Sequence, residues 1–310
     1  MSEIIEFEEA LRRSLEPLKS FGNYEAWFSW FKNAERRAET YVAKMRVFLR
    51  SVSGLRVLDV GCGVGGACLT LANHANQVVG IEINSLAIQL AKLNAKKAKN
   101  GVIDFILASG LNLPFKEGCF NLTICNDVLE HVEDKHKLLK EIHSVLDDEG
   151  RLFLTTPNRL YPVEPHTGII GLTLLPRKIA NKIASMMLKV NAELPSLVTY
   201  KQLAKLLTEN GFAHIINHPY WLLYEDAPAI KFITRITRLR VVTWFLALLS
   251  PLFTALCKKI KSNYKSGTQL NHSSPTKTGG LARRIIGIKV AFGSTSTAST
   301  NSIFSSWCPT

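Results

Sequence analysis

The sequence predicts an α/β fold, a mostly parallel sheet covered on both faces by helices, and two observations predict it. Between residues 55 and 156, short runs rich in Val, Ile, Leu and Phe alternate with stretches of helical spacing, as in repeated strand-helix units joined by right-handed crossovers. The first such run feeds VLDVGCGVGG at 57–66, a turn with glycines at 61, 63, 65 and 66, and the second, VVGIEIN at 78–84, ends in a carboxylate, Glu82. Glycine without a Cβ permits positive φ and close backbone approach. Such a turn lets a nucleoside cofactor lie against the main chain at a helix start, with the acid where ribose hydroxyls arrive. Gly61 and Glu82 are 21 positions apart, close to the roughly 20 expected when one strand-helix-strand unit carries a ribose-binding acid.

In chain order, residues 3–50 show helical spacing, and residues 1–50 form a helical N-terminal cap. Trp27, Phe28, Trp30 and Phe31 bunch there; they either close over the cofactor pocket or pack an aromatic face on the sheet. The central alternation gives strands at 55–60, 77–82, 102–107, 120–125 and 151–156, with helices at 65–73, 84–98 and 128–146. Asp147, Asp148 and Gly150 supply the turn before the fifth strand. Residues 157–198 hold prolines at 157, 162, 165, 176 and 195. With a helix at 176–190, this insertion overhangs the ligand edge and is the natural substrate lid. TYKQLAKLLTENGF reads as a helix at 199–212, with Thr199 as N-cap and Gly211 past its end, leading into a sixth strand at 212–217.

Charge divides the chain. Residues 1–158 carry a net −1 and residues 159–310 a net +14, and no acid follows Asp226 while twelve basic residues do. Such asymmetry points to an anionic partner for the C-terminal part. VVTWFLALLSPLFTALC, 241–257, is 17 uncharged residues with Arg235, Arg238 and Arg240 before it and Lys258, Lys259 and Lys261 after it. Its length is at the lower limit for a bilayer span of about 20 residues. Burial, head-group contact through 231–261 and a true span are all open. A last strand is expected at 251–259 or at 285–292, the first preferred, and residues 261–310 have the Ser/Thr/Asn/Gly composition of a mobile tail. The six cysteines form no CxxC pair and no histidine partners them at ligand spacing, so neither a metal nor a disulfide framework is expected. Acids stand where a signal peptide needs a basic region, and the expected location is cytoplasmic, peripheral to the inner membrane face.

The glycines alone fit both GxGxG and the dinucleotide pattern GxGxxG. Downstream stand LPF at 113–115, FNLTICNDVLEHV at 120–132 and GRLFLTTPN at 150–158. With these, residues 40–220 resemble the class I S-adenosylmethionine-dependent methyltransferases, and within them the group that includes ubiquinone and menaquinone biosynthesis methyltransferases. The resemblance implies a Rossmann-like three-layer sandwich with a mostly parallel seven-stranded sheet over 51–260, S-adenosyl-L-methionine as cofactor, and a small-molecule or lipid-linked methyl acceptor. It also implies roles. Asp59 and the turn Gly61, Gly63, Gly65 hold the methionine portion, Glu82 the ribose, Ile83 the adenine face, and Asn126 lies near the methyl end. Ser109 stands where the family usually has an acid on the adenine amino group.

Two histidines are candidate catalytic bases, His131 in NDVLEHV and His166 in VEPHTG, because imidazole near its ordinary pKa takes a proton from a phenol or hydroxyl. The alternatives are a nicotinamide-dependent oxidoreductase, which leaves LPF and NDVLEHV unexplained, and a non-catalytic module that keeps the cofactor fold. Nucleic acid is disfavoured as a partner, because basic residues here accompany aliphatics rather than stacking aromatics.

Overall fold

The computed structural model describes residues 2–16, 24–46, 49, 51–75, 77–96, 102–188, 192–216 and 250–260. Its centre is a seven-stranded sheet of order β3-β2-β1-β4-β5-β7-β6, comprising β1 (Arg56–Val60), β2 (Gln77–Glu82), β3 (Val102–Leu107), β4 (Phe120–Asn126), β5 (Leu146–Pro157), β6 (Phe212–Ile216) and β7 (Leu252–Lys259). Strands β1 to β5 pair in parallel, and β7 runs antiparallel to both of its neighbours. The order reverses direction at β1, and there a parallel sheet opens a crevice for ligands at its C-terminal edge.

Alternating side chains along the strands feed two cores. On one face Leu58, Val60, Ile81 and Leu154 pack against Leu138, Leu139 and Ile142 of α6 (Lys135–Val145) and Leu203 and Leu207 of α8 (Tyr200–Glu209). On the other, Val57, Val78, Ile124 and Phe153 meet α3 (Ala34–Arg46), α4 (Gly66–Ala72) and α5 (Ser85–Ala95) through Val42, Met45, Leu71 and Ala91. Two further helices, α1 (Ser2–Leu15) and α2 (Tyr24–Lys32), close a third cluster of Phe7, Leu11, Phe28, Val64 and Leu90. The aromatic bunch therefore divides: Phe28 packs on helices rather than on the sheet, while Trp30 is half exposed.

Helix α8 starts where its cap predicts. Thr199 accepts from Gln202 N and the Gln202 side chain returns to Thr199 N, a capping box that contributes about 1 kcal/mol. Gly211, at φ +80°, ends that helix.

Two expectations need correction. The helix expected over 128–146 begins only at Lys135, because the Asp134 carboxylate caps it by accepting from Lys137 N, and residues 127–134 are a turn. The residues expected as a turn before the fifth strand instead lie inside β5, which starts at Leu146. Its register against β4 jumps between Phe120 and Leu122, so Asp147, Asp148 and Gly150 form a bulge.

β7 occupies the preferred site for the last strand. The other candidate, 285–292, and the tail lie outside the described residues. With Phe253, Ala255, Leu256 and Cys257 all buried between β5 and β6, the 241–257 segment does not span a bilayer as one helix. Lys258 pairs with Glu149 at 2.6 Å and Lys259 Nζ donates to Leu146 O, so two of the cations assigned to membrane contact are engaged in the fold. No helix among the described residues is long and apolar enough to cross a membrane. The 157–198 segment carries α7 (Arg177–Leu188), anchored through Ala180, Ala184, Leu172 and Leu194.

Candidate functional site

Strand β1 delivers Asp59 and then the glycine turn to the sheet's C-terminal edge. Gly61, Gly63 and Gly65 all have positive φ, as the sequence requires. A Cβ on Gly61 would meet Val128 Cγ2 at 2.3 Å, whereas one on Gly63 would meet no protein atom within 4 Å. Gly61 is thus a packing requirement and Gly63 faces open space.

Gly63 also lines a cavity of about 250 Å³, together with Asp59, Gly61 and Asn126 on the sheet side and Trp30 and Arg37 on the helical side. Glu82 does not line the cavity but is tied to its glycine turn. Its Oε2 accepts from Gly63 N at 3.2 Å, and its Oε1 from Ile83 N and Asn84 N at 2.8 and 3.0 Å. Three backbone donors fix the carboxylate beside the glycines. Ile83 is 73% exposed. Gly65 caps α4, and Ser109, at the end of β3, has its Oγ accepting from Leu111 N; neither lines the cavity.

Asp59 is buried beside Cys68, whose Sγ donates to Oδ2 at 3.4 Å. Burial pushes its pKa up to about 7, the Cys68 hydrogen bond opposes this and Glu82 adds to it.

Sequence reading missed three charged residues here. Arg37 on α3 stacks its guanidinium 3.7 Å from the Trp30 ring centroid. Asp127 follows β4 with φ +54°, the one positive φ outside glycine among the described residues. Such a backbone in an aspartate is a strained geometry that tends to persist at functional sites. Its amide donates to Thr155 O and its carboxylate accepts from Thr155 Oγ1 at 2.9 Å. Burial raises its pKa against Thr155, His166, Arg37 and Lys44, which lower it. The signal available in the sequence was NDVLEH itself, with two acids placed three apart.

The third is Glu130, whose side chain is fully buried. Burial, reinforced by Asp127, pushes its pKa up to about 7. It borders a second cavity of about 620 Å³ together with His131, His166, Thr167, Arg177 and Ser196. The structure brings the two candidate histidines together, rings edge to face at 5.1 Å, although they are 35 positions apart and His131 sits on a turn. His166 Nδ1 lies 3.0 Å from Glu164 Oε1. That hydrogen bond raises the His166 pKa against burial. Burial alone would raise Glu164, but hydrogen bonds from His166 and Thr167 outweigh it and hold the carboxyl below its ordinary value. His131 is lowered by burial and by its cationic neighbours His166 and Lys135.

The family model "Methyltransferase domain" matches residues 51–218, the span from before β1 through β6. The chain belongs to the methyltransferase-domain family. Similar proteins include a ubiquinone biosynthesis O-methyltransferase of Albidiferax ferrireducens, 34% identical over 131 residues that make up 41% of this chain and 52% of that protein. A norajmaline N-methyltransferase of Rauvolfia serpentina is 36% identical over 88 residues, 28% of this chain and 30% of that one. The matched stretches thus span about half or less of these relatives. Among solved structures, an S-adenosylmethionine-dependent methyltransferase from Mesorhizobium loti superposes with a TM-score of 0.51 at 21% identity, covering 71% of this chain and 98% of that one. It shares the fold of this methyltransferase domain.

Proposed function

We propose that this methyltransferase-domain protein transfers a methyl group from S-adenosyl-L-methionine to a small-molecule or lipid-linked acceptor. The observation that carries the reading is the glycine cradle. Gly63 lines the cavity and a Cβ there would touch no protein atom, and the backbone-held carboxylate of Glu82, tied to Gly63 N, keeps a lone-pair site on Oε2 for a ribose hydroxyl. The donor set fits a nucleoside with a cationic arm: Glu82 for the ribose, Asp59 and the turn Gly61 to Gly65 for the amino-acid portion, Asn126 near the methyl end. Exposed Ile83 offers an apolar surface for adenine, and Ser109 stays as the adenine-side contact. Arg37 and Asp127 add opposite charges suited to an α-carboxylate and an ammonium.

A pyrophosphate-bridged cofactor suits the site less. A Cβ at Gly66 would lie 2.6 Å from Ala34, so α3 crosses directly over the start of α4, where a dinucleotide would set its phosphates.

When bound, S-adenosylmethionine supplies a methyl on a sulfonium cation, open to in-line attack by a nucleophile aligned behind it. The chain's contribution is then mostly positioning, with His131 and His166 acting on the acceptor's acidic hydrogen in the second cavity. Leu160, Ile170, Leu174, Ile179, Met186 and Met187 of the 157–198 segment are exposed around Lys178 and Lys182. This apolar, basic rim supports a lipid-linked acceptor and contact with an anionic membrane from the cytoplasmic side.

Calorimetry with S-adenosylmethionine, S-adenosylhomocysteine and NAD tests the cofactor assignment. Binding of the first two is expected, and uptake of NAD alone overturns it. His131→Ala and His166→Ala should each lower turnover of an identified acceptor while sparing cofactor affinity.

A further inference from the structure

We propose that Arg159 and Arg177 form an oxyanion subsite beside the acceptor cavity and select an acceptor that carries a phosphate monoester. A small cavity of about 100 Å³ has Arg159, Glu164, Arg177 and Ser196 in its lining, together with the apolar Leu172 and Leu194. Arg177, Leu194, Pro195 and Ser196 also line the 620 Å³ cavity that holds His131 and His166. The small cavity therefore adjoins the large one. Its volume is below that of a pocket for a whole ligand and suits a single compact group projecting from a molecule seated next door.

The cations there lack anions. Arg159 is half-buried and its backbone is pinned by Arg159 N donating to Val198 O at 3.0 Å, yet its guanidinium has no hydrogen-bond or ion-pair partner among the described residues. Arg177 Nε donates to Leu194 O at 2.9 Å, which fixes that guanidinium against the lining. Its contact with Glu193, 3.9 Å between side chains 49% and 84% exposed, is weak. Glu164 is already engaged: it accepts from His166 N and Thr167 N at 2.9 and 2.6 Å and lies 3.0 Å from His166 Nδ1. His166, whose pKa that contact raises, offsets its charge. Lys135 adds to the excess, since it lines a third cavity together with Arg159 and Ser196. Burial lowers the Lys135 pKa, Glu130 opposes this and Arg177 adds to it, so an anion beside the two arginines relieves a crowding of cations. Of that third cavity's acids, Asp134 caps α6, Glu209 pairs with Lys205 at 3.7 Å, and Glu133 is exposed to solvent.

The donor count favours phosphate over carboxylate. A carboxylate offers two oxygens and one charge, whereas a phosphate monoester presents three terminal oxygens and a charge of about −1.5 to −2 near neutral pH. That matches two guanidinium forks and the Ser196 hydroxyl, which is itself without a partner among the described residues. The leucines of the lining hold water away, and each charged contact gains strength from the lower local dielectric. With its phosphate between Arg159 and Arg177, the acceptor extends past Ser196, which lines both cavities, and brings its other end to His131 and His166.

That the phosphate belongs to a methyl acceptor rests on the methyl-transfer reading, but phosphate binding does not, and the experiment separates them. Full-length protein is titrated calorimetrically with phenyl phosphate, benzoate and phenol at low ionic strength, and with S-adenosylhomocysteine in parallel. Phenyl phosphate should bind at one equivalent per chain and at least tenfold more tightly than benzoate, with phenol weaker still. Arg159→Gln and Arg177→Gln should each weaken phenyl phosphate binding at least tenfold. Unchanged affinity for S-adenosylhomocysteine shows that they fold, and Arg159→Gln, which removes no protein contact, guards against a loss of anchoring in Arg177→Gln. Lys140→Gln, an exposed cation of α6 outside all three cavities, should bind phenyl phosphate as the unaltered chain does. Absent binding of phenyl phosphate, benzoate bound as tightly, undiminished binding in both arginine variants, or an equal loss in Lys140→Gln overturns the subsite. Phenyl phosphate bound as expected by a protein that ignores S-adenosylhomocysteine keeps the subsite and removes the methyl-transfer reading instead.

Discussion

At the scale of single residues, Gly61 and Gly63 separate folding from binding. Gly61→Ala drives a methyl into Val128 and forces alanine to φ +74°, so it should lower stability by several kcal/mol and remove cofactor binding as a consequence. Gly63→Ala meets no protein atom, and its cost is the left-handed backbone alone, about 1 to 2 kcal/mol. Its methyl fills the cradle, so cofactor affinity should fall at least tenfold in a protein that still melts cooperatively. Calorimetry beside a thermal melt distinguishes the two, and a Gly63→Ala variant with native affinity removes the cradle from the binding site.

Asp59 yields a pH dependence. Its folded pKa of about 7 lies above the unfolded value near 3.9. Its contribution to stability is therefore fully present below about pH 4 and is lost as pH rises through 7, an effect on the order of 4 kcal/mol. Denaturant titrations from pH 5 to 8 should show a decline that Asp59→Asn makes shallower, the remainder including Glu130, whose pKa is raised to about 7 in the same way; equal slopes would mean that Asp59 does not contribute to it. The glycines and Glu82 were legible because spacing along one strand-helix-strand unit is a sequence property. Asp127 and Glu130 were not, since their surroundings come from Thr155, Thr156 and the 157–198 segment, which approach only in the fold.

Among elements, α2 and α3 close the 250 Å³ cavity from the side away from the sheet. Trp30 lines it and is held by Arg37, whose guanidinium covers the ring and whose Nη1 donates to Trp30 O. Ligand entry must change the surroundings of that indole, so S-adenosylhomocysteine should alter tryptophan emission and Trp30→Phe should abolish most of the change. Emission that responds equally in the variant places the reporter elsewhere and argues against α2 as a wall of the pocket. The sequence left open whether the aromatic bunch capped the pocket or packed. Phe28 packs and Trp30 faces the cavity, a division that helical periodicity alone does not resolve when aromatics fall on adjacent faces. The extended helix at 128–146 has a similar origin. Val128, Leu129 and Val132 keep helical spacing while serving as turn residues, Leu129 buried in the core and the two valines half-buried against it, and only the cap at Asp134 marks the true start.

At the scale of the whole molecule, the charge asymmetry and the sheet topology jointly decide how a membrane role can be tested. The first five strands follow from alternation in the sequence. The antiparallel insertion of β7 between β5 and β6 does not, because 251–259 and 285–292 are both apolar and the choice depends on tertiary pairing. Since β7 supplies both neighbours with hydrogen bonds, truncation at residue 230 would expose the edges of β5 and β6 and report on folding, not on lipid. Charge substitution keeps the sheet intact. Arg235, Arg238 and Arg240 precede β7 in a stretch without acids, and each cation near an anionic surface contributes about 1 kcal/mol. The triple Arg→Gln variant should therefore partition onto phosphatidylglycerol vesicles roughly 100-fold more weakly than the unaltered chain in co-sedimentation at low salt. High salt should release the unaltered chain too, because the attraction acts over a Debye length of about 10 Å at 0.1 M. Zwitterionic vesicles should bind neither protein. Equal sedimentation of both proteins with anionic vesicles would show that these cations do not face lipid, and would leave the exposed apolar residues of the 157–198 segment as the surface to substitute next.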